Sequence, residues 1–463
     1  MRESDSPAQA PAADPAAWPA PYAMSPVSGC VAVPGSKSMT NRALLLAAIS
    51  DGPSRVTGAL LARDTELMIS ALRALGAQVK VSGSTVDVTP MTVGAVRQLN
   101  TGGAGASPAS IDIDCGLAGT VMRFVPAIAG LAVGRISFDG DAAARSRPMR
   151  ELIAALGELG LTIDSADGGL PMTVEATGSI RGGTVQIDSS ASSQFISALL
   201  LAGATYGDGI VVTTTGERVP SAPHIEMTVA MLADHGVHVS TVRDATGQTT
   251  WQIEPQLLRA FDRHIEPDLS NALPFLAAAA VTGGKVSVNE WPQTSTQPGD
   301  HIRPLLSAMG CDVAWQPTTA NTGTLTVSGP ARLKAIDVDM GDLGELTPTV
   351  AAMCLFAEGE SRLRNISHIR GHETDRIAAL EAIAALISGR CVGDSDDLVI
   401  TGLTAEALAD QTAVTLPSFD DHRLATAGAI IGLRRRGVSV ENIGTTAKTL
   451  PNFTSLWSGL VQP

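Results

Sequence analysis

The chain has 463 residues, of which 44 % are apolar, 17 % charged and only 3 % aromatic. That is two to three times the roughly 100–200 residues of one domain, with enough apolar side chains to exclude wholesale disorder. Set against 46 acidic residues, 32 basic ones leave a net charge of −14. This argues against a nucleic-acid partner and against attraction to an anionic membrane, and the few aromatics offer no base-stacking platform.

Residues 1–23 hold eight Ala and five Pro without apolar periodicity, so a disordered tail is expected over 1–24. This stretch lacks the apolar segment of a signal peptide, and no later run reaches the roughly 18–20 apolar residues of a membrane span. Cys30, Cys115, Cys311, Cys354 and Cys391 are odd in number and form no C-x-x-C pair. A reducing compartment, the cytoplasm, is expected, and no zinc site is legible.

Beyond the tail one pattern recurs: a polar start, an Ala/Leu-rich helix, a Gly-containing break, then a β-branched strand. It begins near Thr40, Thr120, Ser193, Asn271, Leu346 and Arg423, at intervals of 80, 73, 78, 75 and 77 residues. A second helix follows each first one, as at Asp64–Leu75, Met149–Leu159, Ile225–His235 and Ile302–Met309, with Gly just past its end. Six such units predict two α/β bodies of three units each. The first helices are apolar nearly all round and must be buried. Their N-termini carry unpaired N–H groups and partial positive charge, so six converging ends would form an anion-binding cleft between the bodies.

Polar motifs sit at these starts. P-G-S-K-S-M-T-N-R (Pro34–Arg42) fails the phosphate-loop frame, because Val31 and Ser36 stand where glycines are needed, yet Lys37, Ser38 and Arg42 can still hold phosphate at a helix start. In A-G-T-V-M-R (Ala118–Arg123), Gly119 lets a ligand approach the backbone, and Arg123 and Arg147 are candidate anion forks. S-S-A-S-S-Q-F (Ser189–Phe195) crowds hydroxyls and an amide onto the third start. Glu345 stands in G-D-L-G-E-L-T-P at the opening of the fifth unit. H-I-R-G-H-E-T-D-R (His368–Arg376) resembles a zinc motif, but Arg376 replaces the second His ligand, and Glu373 reads instead as an acid/base group. D-D-H-R-L (Asp420–Leu424) and A-K-T-L-P (Ala447–Pro451) place Arg423 and Lys448 in the sixth unit. Taken singly, each motif also reads as a helix cap or surface charge. Their joint placement at the openings of five of the six units predicts one site built from both halves and holding more than one anionic group.

These strings, in this order from Pro34 to Pro451, closely resemble the 5-enolpyruvylshikimate-3-phosphate synthases, or 3-phosphoshikimate 1-carboxyvinyltransferases. The resemblance implies a two-domain inside-out α/β barrel, each domain three βαβαββ-type units. The chain would cross twice, giving domains at 36–264 and at 25–35 plus 265–463. It implies attack of the 5-hydroxyl of shikimate 3-phosphate on C2 of phosphoenolpyruvate with protonation of C3, then loss of phosphate, with no metal or organic cofactor. It further implies a cytoplasmic monomer that is sensitive to glyphosate.

By the same resemblance, Ser38, Arg42, Ser192, Ser193, Ser221, His368 and His372 would hold shikimate 3-phosphate. Gly119, Arg147, Arg376, Arg423 and Lys448 would hold phosphoenolpyruvate, and Lys37 and Gln194 would touch both. Glu345 would take the hydroxyl proton and Glu373 would protonate C3, with Lys37 in the catalytic set. An unperturbed Glu titrates near 4.3, so Glu373 is expected to be raised by burial. Leu117 and His368 stand at usual Asn positions, His372 at a usual Lys and Glu345 at a usual Asp. His372 would then be neutral where Lys is charged. The related UDP-N-acetylglucosamine enolpyruvyl transferases carry a reactive Cys in a mobile loop near the second unit. Here Cys115 ends a strand-like run.

Overall fold

The computed structural model describes residues 17–92, 110–215, 219–245 and 247–462. Among the described residues, five four-stranded sheets share one topology. In each, an edge strand runs parallel to its neighbour and the next two run antiparallel. In the second unit Ser110–Asp114 pairs parallel with Val133–Asp139, which pairs antiparallel with Met172–Thr177, and that strand with Thr162–Asp164. The third and fifth units repeat this, centred on Ile210–Thr214 and Glu360–Arg364.

The first and fourth units borrow their parallel edge strand. Arg263–His264 pairs with Ser54–Thr57, and Ser28–Val31 pairs with Lys285–Pro292. Each three-unit body therefore takes in the segment that is about to cross to the other body. The two crossing segments pair with each other: Gly35 bridges Pro267, Ser36 N–H donates to the Glu266 carbonyl and Asp268 N–H to that of Pro34. A side chain at Gly35 would meet the Gly58 carbonyl oxygen at 2.0 Å, so only glycine fits this crossing.

Two cores result. One gathers buried side chains from Met39 to Ile265, the other Val27 and Val31 with those from Leu269 to Leu460. The first helix of each unit runs through its core. Every residue of Gly119–Ala129 and of Leu269–Thr282 is buried. In the latter the Ala277–Ala280 run lets another backbone approach, since a Cβ on Gly329 would lie 2.1 Å from the Ala279 carbonyl oxygen. The observed first helices begin at Lys37, Gly119, Gln194, Leu269, Thr347 and His422, within three residues of the starts expected from the repeat.

The sixth unit departs from the pattern. Its central strand Val438–Val440 has a parallel neighbour in Val414–Leu416, but its antiparallel neighbour is Trp18–Pro19. The expected disordered tail is thus corrected for residues 18–24, while 1–16 lie outside the described residues. Trp18 stacks edge-on against Phe453, with centroids 6.4 Å apart, and the Arg436 guanidinium lies 4.0 Å over the Tyr22 ring. A two-residue strand has no periodicity to read, and its partner lies some 420 residues away in sequence.

Candidate active site

Residues at or beside the N-termini of the first helices Lys37–Ala48, Gly119–Ala129, Gln194–Gly203, Thr347–Cys354 and His422–Arg434 line a cleft between the two bodies. Among the described residues six cations line it, Lys37, Arg123, Arg147, Arg376, Arg423 and Lys448, against two carboxylates, Glu345 and Glu373. Position follows from the helix starts. Lys37, Gly119, Gln194 and Arg376 are each the first residue of a helix, Arg423 is the second, and Lys448 ends the Ile443–Lys448 turn. A long cationic side chain at such a point can reach into the cleft beside the free N–H groups.

Glu373 lies between two cations. Lys448 Nζ donates to its Oε1 at 2.6 Å and Arg376 Nη2 to its Oε2 at 3.0 Å. Burial pushes its carboxyl up, but Lys448, Arg376, Arg147 and His422 outweigh burial and hold it well below the usual range. The expectation of a raised Glu373 is therefore corrected: charge-assisted pairing overrides desolvation. Arg376 is 2 % exposed and is held on a second side, where Asp421 accepts from its Nε at 2.7 Å and its Nη2 at 3.3 Å. Burial alone would lower Arg376, yet Asp421 and Glu373 raise it.

The fourth donor of this cluster explains His372. Arg376 Nη1 lies 2.8 Å from His372 Nδ1. Since a guanidinium only donates, Nδ1 accepts and the ring hydrogen sits on Nε2. Burial and Arg376 push His372 well below its ordinary value, so it is a neutral donor. The His368 ring packs against it, centroids 5.7 Å apart.

Glu345 occupies a short 3₁₀ turn, Gly344–Leu346, ahead of the Thr347–Cys354 helix. His224 Nε2 lies 3.6 Å from its Oε1 and Arg423 Nη2 lies 3.5 Å from its Oε2. Burial pushes Glu345 up, but His224, Arg423 and Lys37 outweigh it and keep the carboxylate ionised. Lys37 Nζ is 3.4 Å from Asp64. Burial alone would lower Lys37, but Asp64, Glu345 and Glu373 raise it, so it stays charged.

On the opposite wall Arg123 Nη1 donates to Gln194 Oε1 at 2.8 Å, and Arg147 Nη1 to the Leu117 carbonyl at 3.3 Å. Leu117 turns its side chain into the first core and does not line the cleft. Ser38, Ser192, Ser193 and Ser221 also line it. Ser221 adopts φ 56° and its N–H donates to the Gly341 carbonyl, joining the two bodies.

All but one of the site residues expected from sequence thus meet in the cleft. The exception is Arg42, which is 1 % exposed and does not line it. Its guanidinium donates to Thr228 Oγ1, to Ser197 Oγ and to the Ser38 and His224 carbonyls, and lies 5.0 Å from the Phe124 ring centroid. Burial against these neutral groups pushes Arg42 down to about 10. It stands behind the wall rather than on it: a helix-start Arg can point along the groove or under it, and spacing does not distinguish them. Sequence reasoning gave no role to Asp64, His224, Asp421 or His422. The last two lay inside a quoted string, whereas His224 carried no local signal. Cys115 is fully buried and its thiol is pushed up to about 12 by burial and by Asp114 and Asp139, which removes nucleophilic character.

Against this geometry the comparisons can be stated. The family profile described as EPSP synthase (3-phosphoshikimate 1-carboxyvinyltransferase) matches residues 21–457. The chain is 48 % identical over 450 residues to a 3-phosphoshikimate 1-carboxyvinyltransferase of Kocuria rhizophila, covering 96 % of both chains. To that of Mycobacterium ulcerans it is 47 % identical over 451 residues, covering 96 % of this chain and 98 % of the relative. Among solved structures, an EPSP synthase from Acinetobacter baumannii superposes with a TM-score of 0.75 at 23 % identity, covering 96 % of this chain and 97 % of that one. The enolpyruvyl transferase NikO from Streptomyces tendae gives a TM-score of 0.67 at 18 % identity, over 95 % and 96 % of the two chains. The two structures speak for the two-domain α/β fold, and the sequence relatives with the profile speak for activity. The chain belongs to the EPSP synthase family, the 3-phosphoshikimate 1-carboxyvinyltransferases, and transfers an enolpyruvyl group in the shikimate pathway.

Proposed function

We propose that the cleft holds shikimate 3-phosphate and phosphoenolpyruvate side by side, each on its own set of residues. The observation that carries this is that, among the described residues, six cationic side chains line one cleft in a chain of net charge −14. Two mutually repelling anions need that many cations. Ser38, Ser192, Ser193, Ser221, His368 and His372 would take shikimate 3-phosphate. Gly119, Arg147, Arg376, Arg423 and Lys448 would take phosphoenolpyruvate, with Lys37 and Gln194 between them. Arg42 would act on the phosphate side through the Ser38 carbonyl that it holds.

In the proposed chemistry, Glu345 accepts the 5-hydroxyl proton as the oxygen attacks C2, and Glu373 gives a proton to C3. Loss of phosphate then needs a methyl proton removed, and Glu373 takes it back. Glu373 must be protonated for the first step. Bound anions would compete for Lys448 and Arg376, and with that hold weakened burial would drive Glu373 toward the acid form.

The bodies 36–264 and 25–35 with 265–463 would act as two domains hinged at the Gly35–Pro267 crossing. Without ligand the facing cations repel, and bound anions bridge them. Small-angle scattering should then give a smaller radius of gyration with shikimate 3-phosphate than without it. An unchanged radius at saturation would contradict a ligand bridging both bodies. The five cysteines are all free, which supports a cytoplasmic location. A monomer would return the mass of one 47.5 kDa chain by light scattering.

Glyphosate would compete with phosphoenolpyruvate at Gly119. A Cβ there would lie 3.0 Å from Gln194 Oε1 and 3.1 Å from both terminal nitrogens of Arg147. Gly119→Ala should therefore push two ligand-binding side chains as well as narrowing the space. Overpacking costs roughly 1–3 kcal/mol, borne more by the longer inhibitor than by the substrate. Inhibition constants measured at matched phosphoenolpyruvate should rise more than its KM. Equal inhibition constants for both proteins would remove Gly119 from the inhibitor's surroundings.

A further inference from the structure

We propose that His224 is a positioning residue for Glu345, its ring Nε2–H reaching across the junction of the two bodies to orient the carboxylate that takes the hydroxyl proton. This rests on the reading of Glu345 as that base.

The ring's geometry supports one role. Nε2 lies 3.6 Å from Glu345 Oε1, while Nδ1 is buried with no hydrogen-bond partner. A hydrogen on Nε2 is therefore the one with an acceptor. Catalytic contacts of this kind tighten in the substrate complex. His224 opens the Pro223–Asp234 helix of the first body, and Glu345 belongs to the second. Beside them Ser221 N–H donates to the Gly341 carbonyl and Ala222 N–H to Asp342 Oδ1 at 3.2 Å. The contact that orients the base is thus part of the junction itself, so the base takes its working direction only with the bodies together.

The His224 backbone is fixed independently of its ring. Its carbonyl accepts from Arg42 Nη2, Ser197 Oγ and Thr228 Oγ1. Replacing the ring leaves these bonds in place and removes only what Nε2 does. The other groups around Glu345 are cations or rings on separate elements. Arg423 holds Oε2 from the sixth unit, and Lys37 from the first unit also lowers the carboxylate. Arg42, Arg376 and His372 feel its charge, and His368 packs against Gly344. Arg423, the cation paired with Glu345, meets Oε2 and leaves Oε1 to the His224 side.

The test is steady-state kinetics with both substrates as a function of pH. His224→Ala should lower kcat by about 10²-fold, the size expected from a misdirected catalytic group, with the KM for phosphoenolpyruvate unchanged. The acidic limb of its kcat profile should move to higher pH, because Glu345 loses a group that holds it ionised. His224→Gln places an amide N–H near the Nε2 position and should recover most of the rate. His224→Asn, whose N–H falls near Nδ1, should not. An unmoved acidic limb in His224→Ala, or recovery by Asn equal to that by Gln, would overturn the proposal. Glu345→Gln run alongside separates the two readings. If it loses turnover while the His224→Ala limb stays put, the base stands and the role of His224 falls. If it keeps turnover, both fall.

Discussion

Glu373→Gln is expected to lose about 10²–10⁴-fold in kcat, the usual share of general acid–base catalysis, while the KM for phosphoenolpyruvate does not rise. The amide is nearly isosteric and keeps an oxygen that can accept from Arg376 Nη2 or Lys448 Nζ. What it cannot do is pass a proton to carbon and take it back. Removing the negative charge also frees Lys448 and Arg376 to hold an incoming anion, so ground-state binding should be kept or tightened. Turnover near that of the unaltered protein would remove Glu373 from the proton path. A large rise in KM with kcat retained would make it a binding residue instead.

Asp421→Ala is expected to destabilise the fold by about 3–5 kcal/mol, the usual consequence of stripping one partner from a buried ion pair. The Asp421 carboxylate is fully buried and takes two bonds from Arg376, which is itself 2 % exposed. It also caps the helix that carries Arg423, accepting from the Arg423 N–H at 2.8 Å. Its loss leaves a buried guanidinium with Glu373 as its one ion-paired carboxylate among the described residues. Asp421→Asn keeps the cap and should cost less. Urea unfolding midpoints for the three proteins test this order, and a midpoint for Asp421→Ala indistinguishable from the unaltered protein would contradict it.

The sixfold repeat was legible because each unit buries a whole helix, and an all-apolar Ala/Leu run of fixed spacing leaves a mark that side-chain exchange does not blur. The motifs were legible for a related reason: a polar residue at the mouth of such a helix has few structural uses. Three features were not. Trp18–Pro19 completes a sheet whose other strands lie at the far end of the chain, and no local pattern announces a borrowed strand. Arg42 turns beneath the wall to bind hydroxyls and carbonyls from two other helices, a choice made by packing. The ionisation of Glu373 depends on Lys448, 75 residues away. Burial of a carboxylate could be guessed from sequence, but which cation would sit 2.6 Å from it could not.

The most direct measurement is phosphate release by the purified protein with one component omitted at a time and no metal added. The account predicts release only when shikimate 3-phosphate and phosphoenolpyruvate are both present, because the attacking hydroxyl and the departing phosphate belong to different ligands held in one cleft. Release with UDP-N-acetylglucosamine in place of shikimate 3-phosphate, or with phosphoenolpyruvate alone, would contradict it.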